Sequence, residues 1–488
     1  MKEMKKNRPN LKFNMLLSVI KGISSVIFPL ITFPYIARVL QVDNIGKINF
    51  ASSVIGYFLI FSRLGINDLA VRDGAKLKDT EEFPQFCNEI FTLNLLATGI
   101  SYVALFVCIV ASPKLQEYWI LLLIQSLSMI FSTVGREWLY SVYEDYLYIT
   151  IRSIVFQVLS LIALFAFVHK EEDYIIYAII SVIATSGANV VNLIKSQKLV
   201  PIRIKLTKYS KKLIRPIFTF FAATVSVSIF TNSDMILLGI MCSDYNVGIY
   251  TTAVKIFNIL LSLLVSAIFT SLPRISSLTV RERDREELIL TVKEVNDLLI
   301  TISMPIAVGV IMMSPEIVLI FGGAEYSAAI FPLRILAVGF FCNVLSAYWG
   351  ECILLPFGRE NIVLAGSVIS AMVNIVLNIL LIPIWQENAA AITTLISLVI
   401  GLVITYVTHR KYIIIPGMKR VLIQSFGGCM VIVLMCWLIK SMIINTFFRL
   451  IISIVFSVII YFVIEKMLGN CAVSSIISQI KNRMKIHE

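Results

Sequence analysis

The sequence is short of charge and of the residues that usually carry out chemistry. Asp, Glu, Lys and Arg make up 15% of 488 residues, and there are three histidines, His169, His409 and His487, all at or beyond the ends of apolar segments. The eight cysteines (87, 108, 242, 342, 352, 429, 436 and 471) include no Cys-x-x-Cys pair, and no histidine stands at ligand spacing. Neither a zinc site nor a disulfide framework is indicated; most of the cysteines sit in apolar runs as small hydrophobes. No Gly-x-x-x-x-Gly-Lys phosphate loop occurs, so nucleotide hydrolysis by that route is excluded too.

What fills the chain instead is apolar. Hydrophobic residues make up 58%, and the mean hydropathy is +0.88. No water-soluble globule has such a surface, whereas about 20 apolar residues per crossing allow about a dozen or more membrane helices. The 42 Lys and Arg against 30 Asp and Glu give a net charge of +12. In a soluble protein that excess would point to nucleic acid; in a membrane protein it belongs on cytoplasmic loops, and no nucleic-acid partner is expected.

Apolar runs broken by charge, turn residues, Pro or Gly fall at 14–39, 47–66, 86–111, 118–140, 146–168, 174–195, 216–240, 247–272, 297–321, 329–355, 361–384, 389–408, 421–440 and 448–467. The first is too long for a cleavable signal and is interrupted by Pro29 and Pro34, so it is expected to remain as helix one. With a cytoplasmic N-terminus, 30 of the 42 basic residues fall on the cytoplasmic side, 6 on the other side and 6 within spans. One span missed or invented in the middle would move every later loop to the wrong side, so the asymmetry predicts fourteen helices with both termini cytoplasmic. The outward loops, such as 241–246, 322–327 and 385–388, are too short for a catalytic site, and the chain is not expected to be an enzyme. Thr279 to Asp297 alternates Arg and Glu with Leu288, Ile289, Val292 and Val295 at helical spacing, which predicts a helix that either lies at the membrane interface or serves as a plain solvated linker.

The largest basic linker, Lys195 to Arg215, follows helix six and divides the chain into matching halves. Asn44-Ile45-Gly46 with Ala51 returns as Asn246-Val247-Gly248 with Ala253, at an offset of 202. Phe131-Ser132-Thr133-Val134 returns more weakly as Phe341-Cys342-Asn343-Val344, at an offset of 210. The expected architecture is all-α: two parallel six-helix bundles, 1–200 and 201–412, related by a pseudo-two-fold along the membrane normal, with two further helices in 413–488. Two such bundles can rock about a central cavity, whereas a pore is disfavoured by the lack of a repeated filter-like loop.

Ionisable residues inside spans cost at least about 2.5 kcal/mol near the helix centre, so each requires a reason. Lys21, Arg63, Arg136 and Arg152 lie within roughly 5–10 Å of the cytoplasmic ends of their helices. Snorkelling accounts for any one of them; four at similar height predict a cationic lining, partly neutralised by Glu89 and Glu137. Asp234 and Lys255 stand level, about 9 and 12 Å from the outer surface on consecutive helices, and are expected to pair. Glu316 and Arg334 form a similar, shallower pair, and Glu351 lies near the inner end of helix ten. Lys21, Arg63, Arg136, Arg152 and Lys255 are the candidate substrate-binding cations; Asp234, Glu316, Arg334 and Glu351 are the candidate coupling or gating residues. Pro29, Pro34 and Pro305 mark expected bends.

Phe33-Pro34-Tyr35-Ile36-Ala37-Arg38-Val39-Leu40, then Asn44-Ile45-Gly46, Leu64-Gly65-Ile66 and Arg72-Asp73, resemble the opening of bacterial polysaccharide repeat-unit flippases of the Wzx type. Asp234-Met235-Ile236-Leu237-Leu238-Gly239, Val247-Gly248-Ile249-Tyr250 and Ala253-Val254-Lys255 resemble the same family, which belongs to the multidrug, oligosaccharidyl-lipid and polysaccharide exporter superfamily. Gln41 replaces the Gly often found after the Arg-Val-Leu stretch. The resemblance implies a cytoplasmic-membrane protein that moves undecaprenyl-pyrophosphate-linked oligosaccharide to the outer leaflet, with no cofactor. It implies a proton or sodium gradient, or product removal, as the energy source, and polymerase and glycosyltransferase partners. A cation-coupled multidrug exporter and a lipid II flippase are the superfamily alternatives.

Overall fold

The computed structural model describes residues 11–279 and 285–474, and among these every regular element is helical. In chain order α1 (Leu11–Arg63), α2 (Ile66–Leu77), α3 (Phe83–Ala111), α4 (Pro113–Glu117), α5 (Trp119–Gly135) and α6 (Glu137–Val142) are followed by α7 (Tyr146–Phe167), α8 (Tyr174–Val182), α9 (Ala188–Leu199) and α10 (Lys208–Met241). Then come α11 (Asp244–Thr279), α12 (Arg285–Phe321), α13 (Ile330–Tyr348), α14 (Glu360–His409), α15 (Met418–Met442) and α16 (Thr446–Met467). The chain divides into two units, Met1–Gly248 and Ile249–Glu488.

Two of these helices are folded back on themselves. In a straight α1, Lys21 and Arg63 would stand about 60 Å apart. Instead Lys21 Nζ lies 3.2 Å from Glu137 Oε1, and Arg63 Nε donates to Ser132 Oγ at 2.9 Å, only five residues before Glu137. The reversal occurs at Gln41, where φ is 61° and ψ 174°. That is a backbone region costly to any residue but glycine. It is also the position where Gln replaces the glycine of the sequence pattern. In α14, Thr393 Oγ1 donates to Asn378 Oδ1 at 2.5 Å, although a straight helix would separate the two residues by about 22 Å. The break there is Gln386, with φ 51° and ψ −128°.

Eleven helical stretches among the described residues are long and apolar enough to cross a membrane, and two of them, Ile20–Leu77 and Glu360–His409, contain the reversals. With the two reversed stretches counted twice the described residues give thirteen crossings, and α10, which contains the expected span 216–240, is helical but is not one of the eleven. The surface is that of a lipid-solvated protein: Ile100, Val103 and Phe106 on α3, and Phe426, Met430 and Trp437 on α15, are all more than half exposed. Polar groups turn inward and pair. Thr98 and Thr133 hydroxyls meet at 2.6 Å, and Asn94 Nδ2 donates to the Ser62 carbonyl at 2.7 Å.

In the first unit, the core beside α2 is built from Leu69, Phe83, Phe86, Trp138, Leu139 and Leu213. The α1–α2 turn requires Gly65, whose φ is 66°; a Cβ there would meet the Phe221 backbone nitrogen at 2.6 Å. The linker between α9 and α10 is extended and pinned to α3. Arg203 N donates to Asn88 Oδ1 at 2.9 Å and Lys205 N to Thr92 Oγ1 at 3.0 Å. Glu89 accepts from Gln85, Thr207 and Ser210, so it clamps this linker instead of neutralising a cationic lining.

The repeated Asn-x-Gly segments meet at the end of the same unit. A Cβ on Gly46 would lie 1.8 Å from the Asp244 carbonyl oxygen, and one on Gly248 would lie 2.2 Å from the Val42 carbonyl oxygen. Asp244 and Val42 are themselves related by the repeat offset, so the two contacts are reciprocal. Tyr118 OH donates to Asp244 Oδ1 at 2.5 Å and packs edge-on against Phe50, closing this end.

In the second unit, α12 packs against α13, α15 and α16, and α13 against α14. The amphipathic stretch expected at the interface or in a solvated linker differs from both expectations. Residues 280–284 lie outside the described residues, and 285–297 form the first turns of the continuous helix α12. Leu288 and Val292 are buried and Ile289 and Val295 pack on the same core, alongside Tyr348 and Trp349. The apolar stripe was real; its partner is protein.

Candidate functional site

Lys21, Arg63 and Arg152 converge on the single carboxylate of Glu137. Lys21 Nζ is 3.2 Å and Arg152 Nη2 3.4 Å from Glu137 Oε1, and Arg63 is within electrostatic reach of the same group. The reversal at Gln41 brings Lys21 and Arg63 from opposite ends of α1 to this height. Arg152 is delivered by α7, whose N-terminus is capped by Asp145 accepting from Tyr148 N at 3.3 Å. Glu137 opens α6 directly after a left-handed residue, Arg136, with φ 45° and ψ 44°. Three cations around one carboxylate leave an excess of two positive charges.

Exposure differs sharply across the cluster. The Arg152 side chain is 6% exposed, against 41% for Lys21 and 38% for Glu137. Arg152 Nε and Nη1 are buried with no hydrogen-bond partner among the described residues. Its guanidinium sits 5.7 Å from the centre of the Tyr148 ring, and Lys195 Nζ, held by Asp145 at 2.9 Å, lies 3.5 Å from the same ring. Ser132, Tyr148, Asp145 and Lys195 support the site but were not among the candidates. Ser132 stood out in the sequence only as part of a weak repeat.

The remaining candidates lie elsewhere. Arg136 is fully buried in the first unit, donating from Nη1 to the Val200 carbonyl at 3.0 Å and facing the rings of Phe91 and Trp138, so it is not grouped with the other cations. The left-handed turn sends it and Glu137 in different directions. Asp234 is buried on α10 in the first unit, and Lys255 is half-buried on α11 in the second. Glu316 is not paired with Arg334: it binds Arg449 at 3.1 Å and Lys440 at 3.3 Å, from α16 and α15, while Arg334 Nε donates to Ser314 Oγ at 2.8 Å. Glu351 occupies a π-helical turn, Trp349–Leu354, after α13.

Three buried carboxylates, Asp297, Glu387 and Glu465, escaped the sequence reading. Glu465, fully buried near the end of α16, accepts from Asn470 Nδ2 at 2.6 Å, and its other oxygen has no hydrogen-bond partner among the described residues. Its place one turn from a span end made it look like an ordinary terminal charge. The second unit also contains a cavity of about 410 Å³ between α11, α12, α15 and α16, lined by Pro305, Met313, Ile432, Leu450 and Phe462, with Thr301, Ser453 and Ser457 among its few polar residues. No group of three potential metal ligands occurs among the described residues.

Residues 11–279, which hold the whole cationic cluster, match the family described as polysaccharide biosynthesis protein. The chain belongs to this polysaccharide biosynthesis family. The "Putative O-antigen transporter" of Escherichia coli (strain K12) is 24% identical over 419 residues, covering 84% of this chain and 100% of that protein. The "Probable low-salt glycan biosynthesis flippase Agl15" of Haloferax volcanii is 25% identical over 270 residues, 53% of this chain and 56% of that protein. Among solved structures, "Lipid II flippase MurJ, inward closed conformation" matches with a TM-score of 0.76 at 18% identity, covering 93% of this chain and 98% of that one. An inward-facing multidrug resistance MATE family transporter of the MOP superfamily matches at a TM-score of 0.56 and 13% identity, covering 81% and 99%. At those identities the structures share the fold: this member of the polysaccharide biosynthesis family is a multi-pass membrane protein of the MurJ and MATE architecture.

Proposed function

We propose that the protein is a flippase that carries undecaprenyl-pyrophosphate-linked oligosaccharide from the cytoplasmic to the outer leaflet of the bacterial inner membrane, with both termini cytoplasmic. The observation that carries this reading is the cluster of Lys21, Arg63 and Arg152 around Glu137, two positive charges in excess at a depth where isolated charge is costly. A pyrophosphate leaving water needs cations to replace its hydration. At an effective dielectric of about 20, each cation at 4 Å contributes about 4 kcal/mol per unit of anionic charge. The sugars need polar surface, and the polyprenyl tail stays in lipid. The names of the relatives, "Putative O-antigen transporter" in Escherichia coli and "Probable low-salt glycan biosynthesis flippase Agl15" in Haloferax volcanii, support the substrate class.

Transport would proceed by alternating access of two bundles related by an axis along the membrane normal, the protein binding and reorienting its substrate without bond chemistry. The reciprocal contacts Gly46 to Asp244 and Gly248 to Val42 support such an axis. Asp234 and Glu351 are the proposed coupling or gating residues, for a proton or sodium ion, and Lys255 is a further proposed substrate-binding cation. Glu316 and Arg334 are better read as anchors, because their partners on α15, α16 and α12 engage them already. A cation-coupled drug exporter of the same superfamily would need an acidic site, and the grouped charges are mainly basic. A lipid II flippase would differ in phenotype, since its loss kills the cell instead of removing a surface polymer.

The test is export. Replacing Lys21, Arg152 and Lys255 together by Gln, with membrane insertion verified, is expected to abolish surface polysaccharide. Export at the normal level would overturn the cationic mechanism.

A further inference from the structure

We propose that Glu137 is a place-holder anion, which occupies the cationic cluster between substrates and makes it selective for diphosphates over the singly charged headgroups of the surrounding membrane. The inference rests on the reading of the cluster as a pyrophosphate site and adds a specificity element to it. Lys21 and Arg152 both meet Glu137 through the same oxygen, Oε1. The hold on Arg152 is loose at 3.4 Å, and Arg152 keeps Nε and Nη1 buried and unpartnered. A buried guanidinium with unused donors carries a desolvation cost, which an arriving anion would relieve by accepting from them. The planar fork of Arg suits a phosphate, which can accept two parallel N–H bonds.

The two sides of the ion pair also differ in freedom. Glu137 is 38% exposed and can swing away, whereas Arg152 is 6% exposed and fixed against Tyr148. The carboxylate is therefore the part that leaves. An intramolecular carboxylate is present at high effective concentration, so a monoanion competing for the same cations gains no charge advantage. A pyrophosphate monoester carries two or three negative charges and can satisfy Lys21, Arg63 and Arg152 together. Without Glu137 the cluster would be open to any anionic lipid.

Purified full-length protein in nanodiscs of neutral lipid tests this, using farnesyl pyrophosphate as the diphosphate probe and dioleoylphosphatidylglycerol as the monoanionic one. Wild type is expected to bind the diphosphate at least about tenfold more tightly than the monoanion. In Glu137→Gln the diphosphate affinity is kept or improved, the monoanion affinity rises, and the ratio falls about tenfold; Arg152→Gln loses diphosphate binding. If Glu137→Gln weakens diphosphate binding with selectivity unchanged, while Arg152→Gln still abolishes it, the place-holder role is overturned and the pyrophosphate site stands. If wild type and Arg152→Gln bind the diphosphate equally, the site reading itself fails. A competition on wild type alone gives a second measure independent of any variant's folding. Inorganic pyrophosphate should displace bound farnesyl pyrophosphate and dimethyl phosphate, a strict monoanion, should not; equal displacement by both would overturn selectivity.

Discussion

Substituting Gly46 by Ala introduces one methyl group at the place where the two repeated segments touch. Its carbon would lie 1.8 Å from the Asp244 carbonyl oxygen and 2.6 Å from the carbonyl carbon. Restoring ordinary contact at 3.4 Å requires the two backbones to separate by about 1.6 Å, and neither is the flexible end of a side chain. Overpacking of a rigid site costs about 1–3 kcal/mol, and a backbone obstacle puts this case at or above the upper end. Gly248→Ala, against the Val42 carbonyl oxygen at 2.2 Å, should cost a similar amount. Gly22→Ala is the control: it lies in α1 with no atom within 4 Å of the added carbon, and it gains helix propensity of up to about 1 kcal/mol. Thermal unfolding of the detergent-purified protein, followed by loss of the monodisperse chromatographic peak, should place the first two variants several degrees below wild type and the control at or above it. If Gly46→Ala melts with Gly22→Ala, the close crossing does not exist, and the support it lends to a pseudo-two-fold axis goes with it.

Three further outcomes follow from particular side chains. Gln41→Gly removes a side chain from a strained backbone position and is expected to raise the melting temperature, with a gain of about 1–3 kcal/mol; no change would mean that the reversal of α1 lies elsewhere. Glu316→Ala leaves Lys440 and Arg449 without their shared anion and is expected to cost about 3 kcal/mol, the low end for a broken buried pair because both cations are about a quarter exposed; denaturation of the variant reads this directly. Glu89→Ala releases Thr207 and Ser210 and is expected to speed tryptic cleavage at Arg203 and Lys205 at least several-fold, while an unchanged cleavage rate would show that Asn88 and Thr92 hold the linker alone.

The crossings were legible because a lipid-exposed helix must be apolar for about 20 residues, a length no other element needs. The height of each charge was legible for the same reason. Distance from a span end fixes depth at 1.5 Å per residue, and Lys21, Arg63, Arg152 and Glu137 do meet at one level. Depth says nothing about the direction in which a side chain points. Arg136 has the right height, but the left-handed turn at that residue sends it into the core while its neighbour Glu137 joins the cluster. Pairing was not legible: Glu316 and Arg334, on helices adjacent in sequence, were expected to meet and do not. Glu316 finds its cations on α15 and α16, more than a hundred residues away, because those helices return to pack on α12. The stripe at 285–297 carried the period of a half-buried helix, and period alone does not distinguish lipid headgroups from protein as the covering.

The most direct measurement of the central claim is translocation by the purified protein in proteoliposomes. A pyrophosphate-linked polyprenyl oligosaccharide is placed in the inner leaflet, and its arrival outside is read by an impermeant lectin or glycosidase. Wild type should expose the oligosaccharide at a rate well above empty liposomes, and Arg152→Gln combined with Lys21→Gln should fall to the empty-liposome rate while remaining folded. Translocation by that double variant at the wild-type rate would contradict the account.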